Sequence, residues 1–323
     1  VPKPKIVVTR KLPKEVEIRL AQTYDVQLNE TDSPLTAEQL KTAMQTADAL
    51  LPTVTDALTA EVLTTPNKRV KIIANFGVGY NNIDIATAQQ EGIIVTNTPH
   101  VLTDCTADIA MLLLLMSARR ASEGERLIRE NRWQGWGPMQ LLGQKITGKT
   151  LGLIGFGRIA QALAKKAHHG FGMRILYFSR SPAPPAVVEN VQANRCENLQ
   201  ELLTTADFVS IHCPGGADTK HLLNEISLKH MKPTAHLINT ARGDVVDSKA
   251  LIKALKENWI AGAGLDVYEG EPNIEPGFRE LNNVTLLPHL GSATLETRIA
   301  MGFRAADNID AFFAGELPND KVV

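Results

Sequence analysis

Three stretches of the chain end an apolar run in polar groups that could act together on a carbonyl compound. They are Ile-Asn-Thr-Ala-Arg-Gly at 238–243, Gly-Leu-Asp-Val-Tyr-Glu-Gly-Glu-Pro at 264–272, and Leu-Leu-Pro-His-Leu-Gly-Ser at 286–292. Arg242 carries a fork of N–H donors suited to a carboxylate or a carbonyl oxygen. His289 can give or take a proton near neutral pH. Glu271, bonded to the other ring nitrogen, would favour the imidazolium form and fix the ring. The trio suits a 2-oxo acid: as hydride reaches C2, negative charge builds on the keto oxygen and a proton must arrive. Singly, each assignment is soft. A histidine after proline is more often structural, and a Glu-Pro pair is usually a solvated turn.

A hydride needs a donor, and the segment Leu-Gly-Leu-Ile-Gly-Phe-Gly-Arg-Ile-Ala at 151–160 offers a place for one. It reads GxGxxA, leaves a strand and opens a helix, the context in which such glycines bind a dinucleotide. Gly155 permits the tight turn, Gly157 lets a pyrophosphate approach the backbone, and Ala160 is small enough for close helix–sheet packing. The phosphates would meet free N–H groups at the helix start. The following strand ends in Ser179-Arg180-Ser181, where NAD enzymes carry an acidic residue for the ribose 2′-hydroxyl. A carboxylate there would repel a 2′-phosphate, whereas Arg180 and Ser179 can bond to one. The expected cofactor is NADP(H) in preference to NAD(H).

These groups need a scaffold, and the pattern supplies two. Short β-branched runs at 5–9, 25–28, 49–52, 70–75 and 93–96 alternate with helical stretches at 13–23, 36–47 and 59–63. Such alternation predicts right-handed βαβ units and a parallel sheet. A helix is expected from Thr103, capped by Thr103 or Asp104, to Arg120. It is apolar on nearly all sides, so it must be buried on more than one face; a second subunit or a central place in the monomer would do this. A second alternation follows, with strands at 150–154, 174–178, 208–212, 236–239, 262–267 and 284–287 and a helix at 158–170. Their continuous apolar character fits strands covered on both faces. Residues 296–313 read as a last helix. Ligands in open α/β sheets bind outside the carboxyl ends of strands, so the three polar stretches could converge there.

Bulk properties narrow the class. A chain of 323 residues suits two domains. With 44% hydrophobic residues, 21% charged residues and a net charge of −1, it has no electrostatic footprint for nucleic acid or an anionic membrane. The longest apolar run, 109–116, falls short of a membrane span. Cys105, Cys196 and Cys213 form no CxxC pair and read as free thiols. The start, Val1-Pro-Lys-Pro-Lys, lacks a signal-peptide core. A cytoplasmic place is expected, and no histidine shows metal-ligand spacing.

Taken together, NTARG, GLDVYEGEP and LPHLGSA resemble motifs of the D-isomer-specific 2-hydroxyacid dehydrogenases. Asn75-Phe-Gly-Val-Gly-Tyr-Asn-Asn-Ile-Asp84 resembles that family's substrate-binding loop and 96–104 its interdomain crossing. The similarity covers essentially the whole chain and is greatest to the glyoxylate/hydroxypyruvate reductase branch. The resemblance implies two Rossmann-like or flavodoxin-like parallel-sheet domains, the dinucleotide domain (100–289) inserted into the substrate domain (1–99 plus 290–323). It implies that Arg242, Glu271 and His289 are catalytic and that N–H groups of Val78 and Gly79 hold the substrate carboxylate, with Ser292 and Trp136 also on the substrate side. It places cofactor contacts at Thr106, Gly155, Phe156, Gly157, Arg158, Ile159, His212, Pro214, Thr240, Ala241, Asp266, His289 and Gly291. Trp136 would enter the partner subunit's site in a homodimer. The implied reaction is reduction of glyoxylate or hydroxypyruvate to glycolate or D-glycerate. Sibling dehydrogenases of D-lactate or phosphoglycerate, and a redox-sensing corepressor of the same fold, are the rival readings. The chain departs from relatives at Gly270, where a bulkier residue is common.

Overall fold

The computed structural model describes residues 2–323, and twelve short strands, all in parallel pairings with one another, carry those described residues. They divide between two compact units. One consists of residues up to Leu102 with Ser292–Val323; the other is Thr103–Gly291.

The first unit holds β1 (Lys5–Val8), β2 (Asp25–Gln27), β3 (Ala49–Leu51), β4 (Ile72–Ala74) and β5 (Ile94–Thr96), ordered β2-β1-β3-β4-β5. This is the flavodoxin-like order of a doubly wound sheet. Val7, Leu50, Ile73 and Val95 stack under Leu40 and Met44 of the helix Ala37–Thr46. Thr36 and Gln39 close that helix's first turn in a capping box. The terminal helix Leu295–Phe313 belongs to the same unit. At Gly302 it lies so near the helix Lys14–Thr23 that a Cβ would stand 2.4 Å from Val16 Cγ2.

The second unit holds β6 (Thr150–Ile154), β7 (Arg174–Phe178), β8 (Asn194–Arg195), β9 (Phe208–Ile211), β10 (His236–Asn239), β11 (Gly262–Leu265) and β12 (Val284–Leu286). Their order, β12-β11-β10-β9-β6-β7-β8, contains the Rossmann arrangement. Strands β6, β9, β10 and β11 are buried along their whole length, which explains their lack of polar alternation. Gly264 has no Cβ because Leu113 of the helix Thr103–Ala118 occupies that place.

That helix is central in its unit, packed on the helix Arg158–Phe171 and on β10 and β11. Its apolar character is thereby largely covered, with Leu112 left exposed. It begins at Thr103, so Thr103 and Asp104 stand in its first turn and do not cap it. It ends at Ala118, not Arg120; Arg120 turns left-handed at φ 53° and starts a new helix, Ala121–Arg129. The short helices Pro185–Val191, Leu199–Thr205 and Ser248–Lys256 and the two-residue edge strand β8 carry no apolar run strong enough to announce them. No helix among the described residues is long and apolar enough to cross a membrane.

Candidate active site

The carboxyl ends of β10, β11 and β12 deliver the three polar stretches to one place. His289 Nδ1 lies 2.8 Å from Glu271 Oε2, leaving Nε2 as the ring nitrogen able to exchange a proton elsewhere. The second carboxylate oxygen, Oε1, accepts the N–H of Tyr268 at 2.7 Å. Burial pushes the Glu271 carboxyl up, but the bond from His289, that from Tyr268 and the nearby Arg242 charge outweigh it. They hold the group below the ordinary carboxylate range. Arg242 feels Glu271 in return. Burial depresses its guanidinium, opposed by Glu271 and Asp244.

Local chemistry explains how each group is held. His289 sits at φ 58°, and its N–H donates to the Asp266 carbonyl at 2.9 Å. The fully buried Asp266 carboxylate accepts the next two amides, Leu290 at 2.6 Å and Gly291 at 2.8 Å. Asp266 therefore fixes the turn that aims His289, a task the sequence had not assigned to it. Gly291 lies close to Thr106; a Cβ would meet its Cγ2 at 3.4 Å. Asn239 closes the turn before Arg242: its Nδ2 donates to the Arg242 carbonyl and its Oδ1 accepts the Ala241 N–H. Gly243 is required for a different reason. A Cβ there would stand 1.8 Å from the Tyr268 carbonyl carbon, so only glycine lets the arginine loop lie on the glutamate loop. Asn239 and Gly243 were missed as functional positions, although both stand inside NTARG. A turn-forming asparagine and a glycine were the available signals.

The glycine turn after β6 has the geometry an anionic dinucleotide needs. Gly155 adopts φ 84°, and a Cβ would stand 2.8 Å from the His212 carbonyl. Gly157 precedes the helix Arg158–Phe171, offers its amides no side-chain cap, and has nothing within 4 Å of its absent Cβ. Phe156 points inward and stacks on Tyr177 at 4.3 Å, so only its backbone can face a ligand. Gln161 Nε2 braces the turn by donating to the Phe156 carbonyl. Arg158 is exposed and Ile159 partly buried at the helix start. The buried Thr240 hydroxyl, just past β10 and beside Ala241, has no hydrogen-bond partner among the described residues. An open helix N-terminus, a turn whose one side chain points inward and an unpartnered hydroxyl fit a bound dinucleotide. His212, bonded through Nε2 to Ser210 Oγ at 2.8 Å and pushed down to about 3 by burial, is a neutral wall of this end. Pro214, two residues on, is exposed.

Beyond β7, Ser179 Oγ donates to the Ser181 carbonyl at 2.6 Å, and Arg180 extends into solvent. Arg195 of β8 adds a second cation there, its Nη2 donating to the carbonyls of Ser179 and Arg180 at 2.9 and 3.2 Å. Sequence reading missed Arg195, because a polar edge strand of two residues has no periodicity to read.

In the first unit, Val78 and Gly79 follow β4. The Gly77 carbonyl accepts the Thr98 N–H at 3.0 Å and the Val78 carbonyl accepts Asn97 Nδ2 at 2.8 Å. In a trans peptide the N–H opposes the C=O, so the amides of Val78 and Gly79 point away from these partners. Ser292 lies in the same unit, its carbonyl accepting Arg298 Nε at 3.1 Å. Trp136 lies in the second unit on a loop and is 83% exposed.

The chain is similar to known proteins along nearly its whole length. The family model described as D-isomer specific 2-hydroxyacid dehydrogenase, NAD binding domain, matches residues 111–291. The chain is 47% identical over 324 aligned positions to a glyoxylate reductase of Thermococcus litoralis, covering 99% of this chain and 97% of that one. It is 41% identical to a glycerate dehydrogenase of Hyphomicrobium methylovorum, covering 97% of each. Among solved structures, an NADPH-dependent glyoxylate/hydroxypyruvate reductase of Sinorhizobium meliloti, in complex with NADP and malonate, superposes with a TM-score of 0.87. It is 34% identical, over 99% of this chain and 97% of that one. Fold, motif geometry and near-complete coverage by such relatives together establish that this chain belongs to the D-isomer-specific 2-hydroxyacid dehydrogenase family.

Proposed function

We propose that the protein reduces small 2-oxo acids, glyoxylate and hydroxypyruvate, to glycolate and D-glycerate with NADPH. The observation that carries this reading is the His289–Glu271 pair beside Arg242, at the carboxyl ends of a sheet whose neighbouring turn fits a dinucleotide. Residues 100–289 would form the dinucleotide domain, and 1–99 with 290–323 the substrate domain.

Gly155, Gly157 and the amides of Arg158 and Ile159 would hold the pyrophosphate, and Thr240 with Ala241 the nicotinamide side. A reduced nicotinamide supplies the hydride when bound. Arg242 would hold the substrate through its donor fork, and the amides of Val78 and Gly79 its carboxylate. As the C2 oxygen gains charge, His289 Nε2 donates its proton to it while Glu271 balances the imidazolium on the Nδ1 side. Asp266 keeps that ring aimed by holding the turn after it.

The NADPH preference is supported by Ser179 and Arg180 standing where a carboxylate would serve NADH, with Arg195 adding positive charge. The exposed Asp218, 4.0 Å from Arg180, competes weakly, since surface pairs contribute little. A homodimer is supported by large apolar side chains left exposed along residues 128–142, namely Ile128, Trp133, Trp136, Met139 and Leu142. None of the three cysteines forms a disulfide among the described residues, and burial pushes the Cys196 and Cys213 thiols up to about 11, in keeping with an inert role in a reducing cytoplasm. Following cofactor oxidation at 340 nm, with glyoxylate and hydroxypyruvate and each cofactor in turn, tests the reading. A higher kcat/KM with NADPH is expected. NADH preference would overturn the cofactor assignment, and no turnover with any 2-oxo acid would overturn the enzyme.

A further inference from the structure

The reacting trio stands on three separate loops, and a second histidine–carboxylate pair lies among them. His221 Nε2 is 2.9 Å from Glu269 Oε1. Glu269 precedes Glu271 by two residues, separated from it by Gly270 at φ 77°. Glycine leaves that link free to turn, so the direction of the Glu271 carboxylate depends on what anchors the residues before it. Through its backbone, His221 donates to the Asp244 carbonyl at 2.8 Å, two residues after Arg242. Asp244 Oδ2 accepts the Gly216 N–H at 3.2 Å. Gly215 lies so close that a Cβ would meet Arg242 Cβ and Cγ at 3.1 Å. Segment 215–221 thus lies against the stem of Arg242 at one end and grips the glutamate loop at the other. His221 has a left-handed backbone, φ 50°, an uncommon conformation for a residue with a Cβ.

We propose that His221 is a positioning residue. By binding Glu269 with its ring and Asp244 with its backbone, it ties the arginine loop to the glutamate loop and so sets the Glu271–His289 pair. The proposal rests on the assignment of Arg242, Glu271 and His289 as the reacting set. Nε2 of the His221 ring is engaged with Glu269, so the role assigned to it is positional.

The test is steady-state kinetics with glyoxylate and NADPH across pH, for His221→Ala, His221→Gln, Glu271→Gln and the His221→Ala/Glu271→Gln double variant. Loosening the loop should cost His221→Ala about tenfold in kcat, the scale of a modest misplacement of a reacting group. KM for NADPH should be unmoved, and the alkaline limb of the pH–rate profile should shift toward that of Glu271→Gln. His221→Gln retains an N–H that reaches the carboxylate and should restore kcat. In the Glu271→Gln background, His221→Ala should add nothing. Full additivity in the double variant, or no rescue by glutamine in a folded protein, overturns the proposal. Should His221→Ala not fold, Glu269→Ala breaks the same pair at its other member, and wild-type kcat there overturns it equally. A Glu271→Gln variant indistinguishable from wild type overturns the trio, and the proposal with it. A strong Glu271→Gln effect with a silent His221→Ala overturns the proposal alone.

Discussion

The two ends of the seven-stranded sheet are built from the same strands yet treat their polar groups in opposite ways. At the amino ends, His236 Nδ1 pairs with Ser117 Oγ at 2.7 Å under a stacked Phe208. Asp207 accepts the Thr150 N–H and the Lys232 ammonium, each at 2.9 Å. Ser122 meets Thr285, and Asn283 caps the Leu255 carbonyl. A cleft of about 720 Å³ opens there, lined in part by Ser117, His236, Asn283 and Thr285. At the carboxyl ends, Thr240 keeps an unpartnered hydroxyl, Gly157 leaves its helix uncapped, and one nitrogen of His289 is free of Glu271. Groups left with hydrogen-bonding capacity, and not a hollow as such, mark the end suited to a ligand. One end is paired for stability, the other primed for a ligand.

The contrast can be broken most directly at His289. If His289 delivers its proton in the transition state, as proposed, His289→Ala should lower kcat by about 10² to 10⁴. Cofactor affinity, measured by fluorescence titration, should change little; equal losses in both would remove the distinction between reacting and binding groups. Next is Gly243→Ala, whose new methyl must displace the Tyr268–Glu269 peptide. A kcat loss of about a hundredfold is expected from the displaced glutamate loop, and wild-type kcat would show that the loops need not touch.

At the amino ends the expected signal is in stability. Burial holds the His236 ring neutral, its value pushed from 6.5 down to about 4. The unfolded chain therefore binds a proton that the native state refuses. Stability present above about pH 6.5 should be lost as pH falls toward about 4, by up to about 3 kcal/mol. His212 contributes with the same sign. Urea unfolding at stepped pH measures the slope, which His236→Asn should flatten; an unaltered slope would assign it to other groups. Ser117→Ala, the mildest change, leaves His236 Nδ1 without its partner and should cost about 1–3 kcal/mol with kcat unchanged. A matching fall in kcat would mean that the two ends are coupled.

Much of this was legible along the chain, for reasons that differ by element. Parallel strands buried on both faces must be apolar throughout, so β6, β9 and β10 stood out as runs. The GxGxxA turn was legible because a tight turn and a bare helix start admit few residue types. Helix ends were less so. Arg120 ends one helix and begins another through a left-handed backbone that its side chain does not advertise.

By itself the sequence determined the α/β class, the glycine turn and the identity of an arginine, a glutamate and a histidine placed after strands, since these depend on local periodicity and residue chemistry. Tertiary structure alone decided that Asp266 aims His289, that Gly243 lets two loops touch, and that Arg195 and His221 stand beside groups far away in the chain. The physical reason is that a hydrogen bond between distant residues leaves no trace in the spacing of either one. It exists only once the strands are laid side by side in order.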